Sequence, residues 1–405
     1  MQAATTDIAL LFSARITRLF AYGFVSVVLA LYLAATGLST AGIGFVLTAT
    51  LAGDILVSLW VTLVADRAGR KNMLLFGSAL MVLAGLVFLI TTNPIWITLA
   101  AIIGIVSPSG GEIGPFLSIE QAALSQLIPD QHRTRLFGWY NLAGSFATAG
   151  GALAGGWLAQ WLHESGWNAL PAYRLIMAGY AISGLVLALI FIFLSSRTEV
   201  VFAAGQASKP VQGFIGLHRS KKVVFKLSTL FAVDAFAGGF VLQSMIAWWL
   251  HARFGTDPGT LGTLFFAANL LAGFSALLAT RIAERIGLVR TMVFTHIPAN
   301  ILLCLVPLMP AFWAAMLVLL LRASISQMDV PARQSYTMAV VAPDERSAAA
   351  GITTVARSVG AAAAPLLAGL FMANSLLFSA PFYVAGGLKI AYDLMLYKLF
   401  KETKA

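Results

Sequence analysis

The chain has 405 residues, 59% of them hydrophobic and only 10% charged, with a mean hydropathy of +0.87 and a formal net charge of +10. Soluble globular proteins carry about a quarter charged residues, so this composition argues for a polytopic helical membrane protein. The apolar runs are long and unbroken, which argues against a β-barrel, and the one cysteine, Cys304, rules out a disulfide framework within the chain.

A helix needs about 20 residues to cross a bilayer. Stretches of that length are expected near 10–34, 41–63, 73–91, 95–118, 135–161, 172–195, 224–250, 259–281, 289–308, 311–335, 348–373 and 379–399. The opening MQAATTDIAL lacks a basic segment and a small-residue cleavage site, so the first span is expected to stay in the mature protein. Short turns such as Thr36-Gly37-Leu38-Ser39-Thr40 and Thr92-Asn93-Pro94 carry helix breakers that permit tight reversals. Lys and Arg gather in alternate loops: Arg67, Arg70 and Lys71; Arg133 and Arg135; Arg197 to Lys226; Arg281, Arg285 and Arg290; Arg333 and Arg346; Lys398, Lys401 and Lys404. The positive-inside rule then puts both termini in the cytoplasm of a multi-pass protein of the inner (cytoplasmic) membrane. The same rule assigns the basic excess to orientation and lipid headgroups rather than nucleic acid.

The longest polar break, Ser195 to Lys222, is expected to be a cytoplasmic linker (196–222), either soluble or lying on the membrane surface, between bundles 1–195 and 223–405. The two halves repeat. Asp66-Arg67-Ala68-Gly69 corresponds to Glu284-Arg285-Ile286-Gly287, and Pro129-Asp130, Arg133 and Gly138 correspond to Pro343-Asp344, Arg346 and Gly351, at an offset of 213 to 218. Two six-span halves in parallel repeat are a described transporter architecture.

The loop Asp66-Arg67-Ala68-Gly69-Arg70-Lys71 completes a pattern in which the chain resembles the major facilitator superfamily. The resemblance covers nearly the whole chain in span count, basic loops and repeat. Thr62 stands where the family usually has a Gly. It implies an all-α membrane protein of twelve transmembrane helices in two pseudo-symmetric six-helix bundles. It also implies that Asp66 faces the helix N-terminus at the start of span eleven, as a latch worth about 0.3–2 kcal/mol. Asp66, with Glu284 as its counterpart and Arg67, Gly69 and Arg285 beside them, is read as gating. Arg70 and Lys71 fit a gate or a solvated turn equally. The run Gly151-Ala152-Leu153-Ala154-Gly155-Gly156 is similar to the motif of exporting members, with Ala152 where they carry Pro; it is also generic small-residue packing, with Gly144, Gly151, Gly155 and Gly156 expected at the seam between halves. Drug-exporting relatives often carry an Arg in span four, and Ile95 to Ser118 has none.

A charge at the bilayer centre costs roughly 2.5–3.5 kcal/mol, so it marks function or a partner. By the resemblance, spans one, four, seven and ten line the cavity. Asp234 on span seven is the first candidate for a protonation site, and Glu112, in a stretch rich in Gly and Pro, the second. Glu120 is expected to pair with Arg133 or Arg135. Arg322 and Asp329 share a face of span ten, Arg322 either binding an anionic group or neutralising Asp234, and Tyr336 could stack on a substrate. Asp54 and Arg357 are expected to form an ion pair as a second latch, and Lys389 and Asp393, four apart on span twelve, to neutralise each other.

The five histidines lack metal-ligand spacing to one another, and no phosphate-binding Gly-x-x-x-x-Gly-Lys-Ser/Thr occurs. The expectation is therefore no enzyme and no cofactor. It is a monomeric secondary transporter of a small molecule in the lipid bilayer, working by alternating access and drawing on the proton gradient. Proton-coupled efflux (antiport) is favoured, with proton-coupled uptake (symport) or lipid flipping as alternatives.

Overall fold

The computed structural model describes residues 2–112, 114–199, 217–342 and 345–400, without the side chains of residues 2–4, 66, 130, 131, 134, 135, 280 and 347. No β-strand occurs among them. The helices combine into the twelve crossings read from hydropathy. Span one is α1 (Gln2–Ser26) plus α2 (Leu29–Ala35), span two α3 (Thr40–Ala68) and span three α4 (Arg70–Ile90). Span four is α5 (Pro94–Ile103) plus α6 (Phe116–Leu127), span five α7 (Asp130–Glu164) and span six α8 (Ala169–Ile192). Span seven is α9 (Lys221–Gly239) plus α10 (Gln243–Phe254), span eight α11 (Pro258–Ile286) and span nine α12 (Leu288–Leu305). Span ten is α13 (Phe312–Ala323) plus α14 (Asp329–Ala339), span eleven α15 (Arg346–Ala373) and span twelve α16 (Ala380–Phe400).

Eight crossings are long and apolar enough to span on their own. Spans four and ten fall short because each is cut in two. Spans five and twelve fall short because Gly, polar and charged residues dilute them.

Local chemistry sets the ends. Ser39 accepts the Gly42 N–H at 3.2 Å to start α3, and Asn93 accepts that of Ile95 at 2.9 Å ahead of Pro94 at the first position of α5. Asp257 accepts the Thr260 N–H at 2.8 Å and its hydroxyl at 2.6 Å to start α11. Gly69 (φ +94°) turns α3 into α4, and Gly287 (φ +88°) turns α11 into α12. The same left-handed hinge at repeat-related positions is structural support for the duplication, because other residues resist that conformation.

The chain divides into two compact units: Met1–Ala203 with Leu242–Asn269, and Ala204–Val241 with Leu270–Ala405. The expected linker lies mostly at 200–216, outside the described residues. In the first unit α1 and α7 meet backbone to backbone. A Cβ at Gly151 would fall 2.0 Å from Phe20 O, and one at Gly155 2.1 Å from Phe24 O. Helices in lipid gain little by burying apolar surface, and small residues let their backbones close up. These two glycines, expected at a seam between halves, thus serve the interior of the first unit. Gly156 instead lies against Pro258 and Gly262 of α11, and the Trp157 indole N–H donates to Thr263 Oγ1 at 3.0 Å.

Candidate functional site

Spans one, four, seven and ten are the four that break, at Val27–Val28, 104–115, 240–242 and 324–328. A break inside a membrane frees backbone groups that need partners. In span four these are supplied. The Tyr180 hydroxyl donates to Gly104 O at 2.9 Å and Ile105 O at 3.0 Å, Ser107 Oγ donates to Gly111 O at 2.8 Å, and the Ser244 N–H donates to Pro108 O at 3.0 Å. Ile105 holds φ at +52°, a conformation worth about 1–2 kcal/mol of strain for an L-residue. Beside Gly110 of the same break, the Gln243 side-chain amide donates to Ser26 Oγ at 2.8 Å and Asn269 donates to Gln243 Oε1 at 3.3 Å.

Each unit also contains a buried charge network. In the first, Arg18 of α1 is fully buried and grips Glu120 of α6 at 2.5 and 2.8 Å, while its Nε and Nη2 reach Glu112 at 3.0 and 2.9 Å. Arg15 lies 2.9 Å from the other Glu112 oxygen and donates to Asn141 at 3.1 Å. The Tyr140 hydroxyl donates a short bond to Glu120. Two guanidinium groups face two carboxylates, so the cluster is neutral as a whole. Glu120 therefore pairs with Arg18 rather than with Arg133 or Arg135. Arg133 donates to Ser125 O at 2.5 Å, and the Arg135 side chain is outside the described residues.

In the second unit, Asp234 of α9 is 3% exposed and meets three cations: Lys389 Nζ at 2.6 Å, Arg357 Nη1 at 3.1 Å and Arg333 Nη1 at 3.5 Å. Arg333 also holds Asp329 at 2.8 Å, and His296 Nε2 lies 4.0 Å from Asp234. Asp393 meets His296 Nδ1 at 3.0 Å and accepts from Asn300 at 3.2 Å. The three carboxylates and the three Lys and Arg cations of this cluster likewise balance.

Two expected pairs are thereby corrected. Arg357, expected on Asp54, lies on Asp234; Asp54 instead accepts from the Ser58 hydroxyl at 3.2 Å. Lys389 leaves Asp393 for Asp234, because both side chains of span twelve turn inward to different neighbours.

Glu112, Asp234 and Asp329 thus join the networks, with Glu112 at the more open edge, 15% exposed. Arg322 does not join; it is half-buried, its Nε has no hydrogen-bond partner, and no ion pair reaches it among the described residues. Tyr336 is fully enclosed among Leu227, Phe231, Tyr392 and Phe400 rather than open to a cavity. The Asp66 side chain lies outside the described residues. Arg67, Glu284 and Arg285 are exposed. Arg70 and Lys71 present their backbone N–H groups to Glu199 at 2.7 and 3.0 Å, and Lys71 Nζ donates to Ile192 O and Leu194 O, so both brace the start of α4 against the end of span six.

Sequence reasoning missed Arg15, Arg18, Arg333 and His296. The signal was present for the first two: a pair of arginines three apart, inside an expected span, is as costly as any buried carboxylate. The repeat adds a relation that the sequence read alone did not disclose. Arg18 stands at the position of Asp234, and Glu120 at that of Arg333, both within the 213-to-218 offset. The two units carry the same bridge with its charges exchanged.

Twelve crossings in two repeated sets of six, each set broken at the same two places, define a multi-pass membrane protein with a transporter fold. The chain belongs to the Major Facilitator Superfamily, whose profile matches residues 11–248 and 227–405. Transporters of this family need no cofactor. The chain is 30% identical, over 99% of its length and 96% of the relative's, to an uncharacterized membrane protein of Saccharomyces cerevisiae. Among solved structures, it superposes on the nucleoside transporter NupG with a TM-score of 0.75, at 14% identity and with 97% of this chain and 100% of the other covered. It superposes on a D-xylose-proton symporter with the same score, at 15% identity and with 99% and 98% covered. At such identities the likeness is one of fold.

Proposed function

We propose that the protein is a secondary transporter that moves a small molecule across the cytoplasmic membrane by alternating access, with proton-coupled efflux as its mode. The observation that carries this reading is the set of four broken spans at repeat-related positions. Non-helical backbone at membrane depth persists only where it is buried in protein or lines a water-filled cavity, and transporters use such breaks to hold cargo. The carboxylates clustered beside the breaks supply groups that a proton gradient can act on. Orientation with both termini in the cytoplasm follows from the basic loops. The chain acts as a monomer on this reading, and its basic excess meets lipid headgroups and not nucleic acid.

Two neutral networks leave Arg322 as a half-buried charge without an ion pair among the described residues, at the end of α13 beside the break in span ten. We assign it to an anionic group of the cargo. Uptake is the second reading, favoured by the shared fold of the D-xylose-proton symporter.

The test is a growth screen of a deletion strain against toxic compounds, followed by flux of the compounds it finds in proteoliposomes under an imposed pH gradient. Efflux-mode antiport predicts flux opposite to the proton flow, and uptake predicts flux with it. A flux unchanged when the gradient is dissipated removes proton coupling.

A further inference from the structure

We propose that Asp54, at the middle of span two, is the carboxylate that binds and releases the proton in the transport cycle. This rests on the proton-coupled reading above. The case begins with elimination. Among the described carboxylates at depth in the spans, Glu112, Glu120, Asp234 and Asp329 each lie within 3.5 Å of a guanidinium or ammonium group, and Asp393 sits on His296; Asp7, near the start of α1, is taken by the Ser195 N–H and hydroxyl. For any of the first four to take a proton, a cation in hydrogen-bond contact must first let go. Asp54 has no ion pair among the described residues; its partners are the Ser58 hydroxyl at 3.2 Å and the Gly114 backbone N–H.

Position strengthens the case. Asp54 is equidistant from Thr40 and Ala68, the ends of α3, about 21 Å from each at 1.5 Å per residue. It lies on the stripe Leu47, Thr50, Ser58 and Val61, of which Leu47, Thr50 and Val61 are buried, while Leu56, Trp60 and Leu63 face outward. Asp54 itself is half-buried on that inner stripe. Partial exposure on that stripe, away from the outward-facing Leu56, Trp60 and Leu63, is what access for a proton requires. An unpaired carboxylate at this depth is costly as an anion, and binding a proton removes the cost without any other side chain moving.

The groups around it fit the role. From the span-four break the Glu112 carboxylate faces it; from α1 and α8 the Tyr22 and Tyr180 phenols do. The guanidiniums of Arg15 and Arg18 are held by Glu112 and Glu120. The proton state also has a readout. Gly114 holds φ at +83° within the break, a Cβ at Gly53 would fall 2.0 Å from Ile102 O ahead of it, and Thr62 Oγ1 lies 3.1 Å from Ser118 Oγ of α6 after it, so α3 touches span four on both sides of the break. Protonation converts one carboxylate oxygen from acceptor to donor, and the irregular backbone of a cavity span must re-pair in response.

Infrared difference spectroscopy of the purified protein in liposomes, between acid and neutral pH, tests this directly, because it reads the carbonyl stretch of a protonated carboxyl. The wild-type protein should show one such band that is lost in Asp54→Asn, shifted in Asp54→Glu and retained in Asp234→Asn. Ser58→Ala, which removes only a hydrogen-bond donor, should shift it too, and serves where Asp54→Asn does not fold. A spectrum unchanged in Asp54→Asn, or a band position indifferent to both Asp54→Glu and Ser58→Ala, overturns the assignment. The two readings fail separately. Gradient-driven flux with an unchanged Asp54→Asn spectrum removes Asp54 and leaves proton coupling. A titrating Asp54 band with flux that ignores the gradient removes the coupling.

Discussion

Lys389 Nζ lies 2.6 Å from Asp234 Oδ1, although 155 positions separate the two and Asp393 stands one helical turn from Lys389 on the same helix. Both members of the pair are buried, at 8% and 3% exposure. Removing one partner of a buried pair leaves the other charged and unsatisfied, at a cost of about 3–5 kcal/mol. Lys389→Met should lower the unfolding temperature in detergent markedly, and Asp234→Asn more, since it strands three cations. The double variant should lose less than the two single losses together. Thermal unfolding followed by tryptophan fluorescence checks this, and strictly additive losses would show that the contact carries no coupling.

Adjacent glycines on α7 should behave oppositely. A Cβ at Gly150 meets nothing within 4 Å, whereas one at Gly151 falls 2.0 Å from Phe20 O. Gly150→Ala should therefore stabilise by up to about 1 kcal/mol through helix propensity. Gly151→Ala should push α1 and α7 apart and destabilise by about 1–3 kcal/mol or more. Matched melting curves of the two variants decide it; equal shifts would mean that the two helices do not meet as described.

Glu345 gives a pH dependence outside the membrane. Its side chain is enclosed by the turn it binds rather than by a deep core: the His218, Arg219 and Ser220 N–H groups all donate to it, the last two at 2.7 and 2.8 Å. Desolvation pushes its carboxyl up, but hydrogen bonds from Ser220 and the three backbone groups outweigh that and hold the pKa at about 2, below the usual 4.5. The folded value is depressed, so the stabilisation is complete above 4.5 and is lost as pH falls through about 2. Melting temperature against pH should fall less steeply across that window in Glu345→Gln than in the wild type. Parallel curves would show that the turn does not depend on this charge.

Arg322 should matter to cargo more than to folding. A hydrogen bond to a charged group is worth about 1.5–3 kcal/mol, so Arg322→Gln should weaken half-saturation by an anionic cargo about 10- to 100-fold, with Arg322→Lys between. Proteoliposome flux of compounds from the growth screen reads this. An unchanged half-saturation in Arg322→Gln, or cargo that is uniformly cationic, would count against the assignment.

The architecture was legible in the sequence because it rests on one-dimensional quantities: apolar length, loop charge and the repeat. Pairing was less legible because it is decided across helices. The spacing of Lys389 and Asp393 suggested a local pair, yet each side chain finds a better partner on another span. Arg357 seemed matched in depth to Asp54, but Asp234 takes it. The break in span four announced itself through Pro108, Pro115 and several glycines. That in span one, at Val27–Val28, carries no breaker residue and was invisible.

The exchanged bridges have a consequence for synthesis. Arg18 and Glu120 are separated by 102 positions, and their partners Arg15 and Glu112 lie on the same two spans, one and four, so the first network can neutralise itself as soon as span four emerges from the ribosome. Asp234 must enter the membrane 155 residues ahead of Lys389. At translation rates of about 5–20 residues per second that is an interval of roughly 10–30 s. During it, Arg333 and Arg357 arrive first, 99 and 123 residues after Asp234, so span seven gains its guanidinium partners with spans ten and eleven and its ammonium partner with the last helix.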